Sequence, residues 1–71
     1  MTQYVRIECK YICQYSDVIA VECEDEFDDL EEFTIPYNQI LDQGAINVFA
    51  DIMELEVTLD WAEKAGIKYH E

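Results

Sequence analysis

Polarity alternates along 4-YVRIECKYIC-13, where Val5, Ile7, Cys9, Tyr11 and Cys13 share one face and Arg6, Glu8 and Lys10 the other. A period of two marks a half-buried strand. The same pattern runs through 18-VIAVECE-24, with Ile19, Val21 and Cys23 opposite Ala20, Glu22 and Glu24. Gln14-Tyr15-Ser16-Asp17 between them is short enough for a hairpin. Both apolar sets fall on odd positions, so paired residues must sum to an even number. A three-residue loop centred on Ser16 meets that condition. It predicts Cys9 opposite Cys23, Tyr11 opposite Val21, the opposite charges Lys10 and Glu22 paired, and the like charges Glu8 and Glu24 paired.

Beyond the hairpin, 22-ECEDEFDDLEE-32 carries carboxylates at eight of eleven positions. Its apolar members Phe27, Leu30 and Phe33 recur every third residue, a spacing open to a helical turn or a loop, and are expected to tether the segment to the core. Residues 32-EFTIP-36 read as a short strand. The segment 36-PYNQILDQG-44 reads as a short helix, with Pro36 at its first position and Gly44 as its C-terminal cap. Residues 45-AINVFAD-51 are apolar enough for either strand or helix. In 52-IMELEVTLD-60 alternation returns: Met53, Leu55, Val57 and Leu59 lie on one side, and Glu54, Glu56, Thr58 and Asp60 on the other. Asp60 and Glu63 resemble a capping box, so 61-WAEKA-65 should be a brief helix closed by Gly66.

These elements predict an α+β fold, a small antiparallel sheet of three or four strands with two short helices. Its expected core is Val5, Ile7, Ile19, Val21, Phe33, Ile35, Leu55, Val57 and Trp61. Seventy-one residues allow a single domain, 1–71, with little surplus stability. Hydrophobic residues make up 51% of the chain, too many for a disordered acidic tail. Seventeen acidic groups face only Arg6, Lys10, Lys64 and Lys68, for a net charge of −13. Such an excess opposes compaction, disfavours self-association and direct contact with nucleic acid, and is relieved by salt or a cationic partner. The expected state is a monomer. The first residues have neither the basic start nor the apolar run of a signal peptide, and no stretch is long enough for a membrane span. A cytoplasmic address is therefore expected.

Cys9, Cys13 and Cys23 are odd in number, which excludes a closed disulfide framework and fits a reducing compartment. With His70 they could form a Cys3His zinc set, but the knuckle spacing of such sites is missing, and core thiols are the simpler reading. Calcium has no EF-hand loop to bind, because no glycine occurs before Gly44. An enzyme is not expected: His70 is the lone histidine, and the chain has no phosphate-binding glycine loop, nucleophile elbow or H-E-x-x-H pair. Neither metal nor cofactor is called for.

What remains is the charge itself. Duplex DNA carries one negative charge per roughly 1.7 Å of axis, so thirteen charges match a segment about 22 Å long. A compact chain of this length should measure just under about 30 Å across. The two charge densities are of the same order. The candidate partner-binding residues are Glu22, Glu24, Asp25, Glu26, Asp28, Asp29, Glu31 and Glu32, as one concentrated edge, with Glu54, Glu56 and Asp60 at strand spacing. Their target would be a lysine- and arginine-lined groove that normally holds DNA or RNA. A charge run is more often a plain solvated face, yet such a face needs no excess of one sign.

The segments 33-FTIPYNQI-40 and 57-VTLDWAEKAGI-67 resemble I-P-x-S/N-x-I and W-x-A-E-K-x-G-I/L signatures in small proteins of phages and mobile elements. Ala62 follows Trp61 directly, one residue short of the common spacing. In size, charge and these phage-like segments the chain is similar to phage anti-CRISPR proteins, several of which imitate DNA. The resemblance implies an acidic inhibitor acting in the host bacterial cytoplasm on a CRISPR surveillance complex, and it assigns no individual binding residue. The alternative is a phage structural or regulatory module that docks through apolar surface and uses its acidity for solubility.

Overall fold

A computed structural model describes residues 2–70. Four strands, β1 (Tyr4–Gln14), β2 (Val18–Glu24), β3 (Leu30–Pro36) and β4 (Met53–Thr58), form one antiparallel sheet in the order β3-β2-β1-β4. One helix, α1 (Leu59–Ala65), packs against β1 and β4, and two single 3-10 turns, Tyr37–Gln39 and Gln43–Ala45, lie in the long β3–β4 connection. The predicted α+β class holds.

The alternation that marks the strands also makes the core. Val5, Ile7, Cys9, Ile19, Val21, Cys23, Ile35, Met53, Leu55 and Val57 project from one face and are buried together with Ile40, Ala62 and Ile67. Phe33 and Trp61, expected in the core, are only half-buried: Phe33 lies on an edge strand, and Trp61 sits in the first turn of α1.

In the first hairpin Lys10 faces Glu22 and Tyr11 faces Val21, as the alternation requires. The register then shifts between Tyr11 and Cys13, so that Cys13 faces Ala20 and Gln14 faces Ile19. This bulge leaves Ile12 as the extra residue. It also shortens the expected three-residue loop, since the Tyr15 amide already donates to the Val18 carbonyl at 2.9 Å. Ala20, expected to face solvent, is buried beside Thr34 of β3 and Cys13 of β1.

No helix forms over 36–44. Ile40 enters the core and bridges Val57, and the Leu41 amide donates to the Glu56 carbonyl at 2.9 Å, so the chain runs along the free edge of β4. Tertiary pairing overrides the weak local preference. Gly44 has no left-handed conformation, and its amide donates to the Asp42 side chain at 2.9 Å inside the second 3-10 turn. Residues 46–52 are neither strand nor helix.

The helix that does form starts two residues earlier than expected, at Leu59. Its N-cap is Thr58, whose hydroxyl accepts from the Trp61 amide, rather than Asp60. Gly66 ends it with φ 72°, the left-handed conformation that glycine adopts most readily. Residues 67–70 then continue the lane that β2 leaves at Asp25. Ile67 bridges Asp25, Lys68 donates to the Glu24 carbonyl at 3.0 Å, and His70 exchanges two backbone hydrogen bonds with Arg6 at 2.7 and 2.8 Å.

Candidate functional site

The face opposite the core is where the carboxylates collect, because each strand that turns an apolar residue inward turns a polar one outward. Registration across the sheet sets Glu8 of β1 directly opposite Glu54 of β4, and Glu22 of β2 directly opposite Glu32 of β3. Glu24 faces Leu30, and Glu56 faces Arg6. Glu22, Glu24, Glu32, Glu54 and Glu56 thus form one exposed surface, on which the alternation places Glu22, Glu24, Glu54 and Glu56. The alternation also placed Glu8 outward, although Glu8 is absent from the residues singled out by sequence. Its pairing with Glu54 depends on a contact between the first and last strands that no local pattern reveals.

Basic groups thread the same surface. Arg6 Nη1 lies 3.8 Å from Glu54 Oε1, His70 Nε2 lies 3.5 Å from Glu8 Oε1, and Lys68 Nζ lies 4.0 Å from Glu24 and 2.6 Å from Asp28. The hydrogen bond that Lys68 donates to the Asp28 carboxylate, with the further charge of Glu24, holds the Lys68 ammonium above its usual range. These pairs are solvent-exposed and individually weak. They ring the Glu8–Glu24 region and leave Glu22 and Glu32 with Lys10 alone as an in-register cationic neighbour. No Lys, Arg or His occurs between Tyr11 and Glu63, so β2, β3, their turn and the β3–β4 connection carry only negative charge.

The turn from β2 to β3 spans residues 25–29 and does not tether itself through its apolar members. Phe27, at the tip of the turn, is 75% exposed, and Leu30, the first residue of β3, is 67% exposed because it lies on the outer face opposite Glu24. Asp25 holds the turn instead. It is buried, its Oδ1 accepts from the Phe27 amide at 2.8 Å and the Asp29 amide at 3.0 Å, and its own amide donates to the Asp29 carbonyl at 2.8 Å. Asp28 sits at φ 66°, a conformation that aspartate tolerates better than most residues. Asp25 is therefore a structural carboxylate, whereas Glu26, Asp28 and Asp29 are exposed at the turn.

Two further expected residues fall elsewhere. Glu31 pairs with Cys23 and so projects to the core side of β3, where the sheet edge leaves it exposed. Asp60 belongs to α1, not to the β4 row, and pairs with Lys64 at 3.1 Å one helical turn on.

The three cysteines are free. Burial pushes the Cys9 thiol up to about 12 and Cys23 to about 11, and the Cys23 Sγ–H donates to the Glu8 carbonyl at 3.1 Å. Neither is a thiolate nucleophile at neutral pH. Among the described residues no three His, Cys, Asp or Glu side chains converge as a metal site, and no helix is long and apolar enough to cross a membrane. No protein-family model, curated protein or solved structure matches the chain.

Proposed function

We propose that the protein is a nucleic-acid mimic, an inhibitor whose acidic surface occupies the DNA-binding groove of a host defence complex. The observation that carries this reading is the pair of like-charge contacts built into the sheet. Glu8 opposite Glu54 and Glu22 opposite Glu32 each oppose folding where an opposite-charge pair would favour it by about 0.2–1 kcal/mol. A small domain has little stability to give up. Solubility alone does not require carboxylates in direct register, but a rigid array of negative charge does.

The dimensions fit. The molecule measures 29 × 27 × 18 Å, a duplex 29 Å long carries about 17 phosphate charges, and the chain carries a net −13. Strands hold alternate carboxylates about 6–7 Å apart along their length, and neighbouring strands lie about 4.8 Å apart. A groove lined with lysine and arginine meets these charges without the side-chain ordering that a flexible acidic tail would impose. The likeness in size and charge to phage anti-CRISPR proteins makes a CRISPR surveillance complex the first target to test.

The test is competition for such a complex against duplex DNA over a salt series, with wild type and a Glu22→Lys/Glu32→Lys/Glu54→Lys variant. Mimicry requires mutual exclusion with DNA, a steep loss of binding with salt, and loss of inhibition in the variant with the fold intact. Simultaneous binding of DNA and protein would sink it.

A second reading has its own observation. Leu41, Val48, Phe49 and Ile52 are all exposed in the β3–β4 connection, Phe49 at 95%. A docking module that uses this apolar loop would bind its partner with little salt dependence and would lose it on Phe49→Ala.

A further inference from the structure

The sheet has two edges, and the chain treats them differently. Along β4, Ile40 bridges Val57 and the Leu41 amide takes the Glu56 carbonyl. Along β3 nothing comparable exists among the described residues. The hydrogen bonds from Tyr37 to Asp17 and from Asp25 to Asp29 fix the phase of the β2–β3 ladder, in which directly bonded pairs alternate with unbonded ones. The odd residues of β3 turn their N–H and C=O groups toward β2. Leu30, Glu32 and Thr34 therefore present theirs to the open edge, and among the described residues no hydrogen bond reaches them. Pro36, with no N–H, ends the run of donors.

We propose that this edge accepts an extended basic segment of a partner protein as a fifth strand, antiparallel to β3. A bare edge is a ready template for strand addition. Charge selects the occupant. Glu32 lies beside Glu22 on the outer face, and Glu31 lies on the core side of the same edge. The turn that begins the strand adds Glu26, Asp28 and Asp29. A second copy would bring the same carboxylates and its own −13 against them, whereas a strand bearing lysine or arginine would pair with them. The two sides of the edge set the pattern further. Basic residues at alternate positions would lie beside Glu32 on the outer face, and apolar residues between them would meet half-buried Phe33. The inference goes beyond mimicry, because it rests on backbone groups rather than on the carboxylate array.

A short synthetic peptide alternating lysine and valine provides the probe, with the same peptide N-methylated at every residue as its partner. The methylated form keeps the charge and loses every amide donor. Amide hydrogen exchange of Leu30, Glu32 and Thr34 should slow in the presence of the first peptide. The methylated peptide should bind at least roughly tenfold more weakly, the equivalent of one or two backbone hydrogen bonds. Thr34→Pro, which removes an edge donor without touching the ladder to β2 or any acidic side chain, should weaken binding in the same way. Equal binding of the two peptides, or protection that appears around Glu8 and Glu54 instead, would show ion pairing to the face and overturn the proposal. Protection of the three amides in the protein alone, rising with its concentration, would assign the edge to a second copy and overturn it equally.

Discussion

The two faces of this sheet are made by the same strands and obey opposite rules. On the inner face Ile7, Val21, Ile35 and Leu55 have no exposed surface, and each neighbour adds to the burial of the next. On the outer face of the same strands, Glu8 meets Glu54 and Glu22 meets Glu32. There each neighbour works against the next. A chain with so small a core must draw its stability from the first face to hold the second in shape, so changes to the inner face should cost several times what changes to the outer one return.

The largest effect is expected at Leu55, fully buried on β4 between the first strand and α1. Leu55→Ala should lose about 2–5 kcal/mol, from lost transfer free energy and the cavity left behind. Because that is a large part of the stability of a 71-residue domain, the variant should be substantially unfolded by chemical denaturation at 25 °C. A midpoint close to wild type would mean that the core repacks freely and that the inner face is less constrained than its burial indicates.

Next comes the link between the faces, the turn held by Asp25. Asp25→Ala removes an acceptor shared by the Phe27 and Asp29 amides and should cost about 1–3 kcal/mol, whereas Glu26→Ala, one residue on and exposed, should change stability by less than about 0.5 kcal/mol. Equal losses from the two would refute the division between structural and free carboxylates in the turn.

How far the sequence discloses this arrangement depends on the range of the interaction. Alternation alone places Val5, Ile7, Leu55 and Val57 inside and Glu22, Glu24, Glu54 and Glu56 outside, because a strand's side-chain period is local and fixed. It also yields the pairing of Lys10 with Glu22, since parity restricts the register. The bulge at Ile12 escapes it, as one extra residue leaves no compositional trace. The helix expected over 36–44 fails for a non-local reason: Ile40 and Leu41 find partners on β4 that a window of local sequence does not contain. Asp25 reads as one acid among many until the turn closes around it. The strand order β3-β2-β1-β4, and with it the Glu8–Glu54 contact and the bare edge of β3, follows from how the β1–β4 pair closes over 38 intervening residues, as Gln14 and Met53 bound them.

Alkaline pH should act on the inner face through its thiols. Burial raises Cys9 from 9.0 to about 12 and Cys23 from 9.0 to about 11. Above pH 9 the unfolded chain releases these protons while the folded chain retains them, so the unfolded state binds fewer protons and stability falls as pH rises. The contribution is complete below pH 9.0 and is lost through about 11 and 12. Urea midpoints should decline over that window, and a Cys9→Ala/Cys23→Ala variant, less stable at neutral pH, should decline less. Parallel declines would assign the alkaline transition to other groups.

The smallest effect, and the one that distinguishes the faces by sign, belongs to Glu32. It has no salt bridge among the described residues and stands opposite Glu22. Glu32→Gln keeps the shape of the side chain and removes the repulsion, so it should stabilise the protein by about 0.2–1 kcal/mol at low ionic strength. The gain should shrink toward zero near 1 M salt, where charges are screened beyond about 3 Å. The same substitution at Glu54 should return less, because it also removes the contact with Arg6 at 3.8 Å. Thermal unfolding of the two variants at low and high salt measures both differences. If neither variant gains stability at low salt, the opposed carboxylates carry no folding penalty, and the physical reason for reading the outer face as selected for a partner disappears with it.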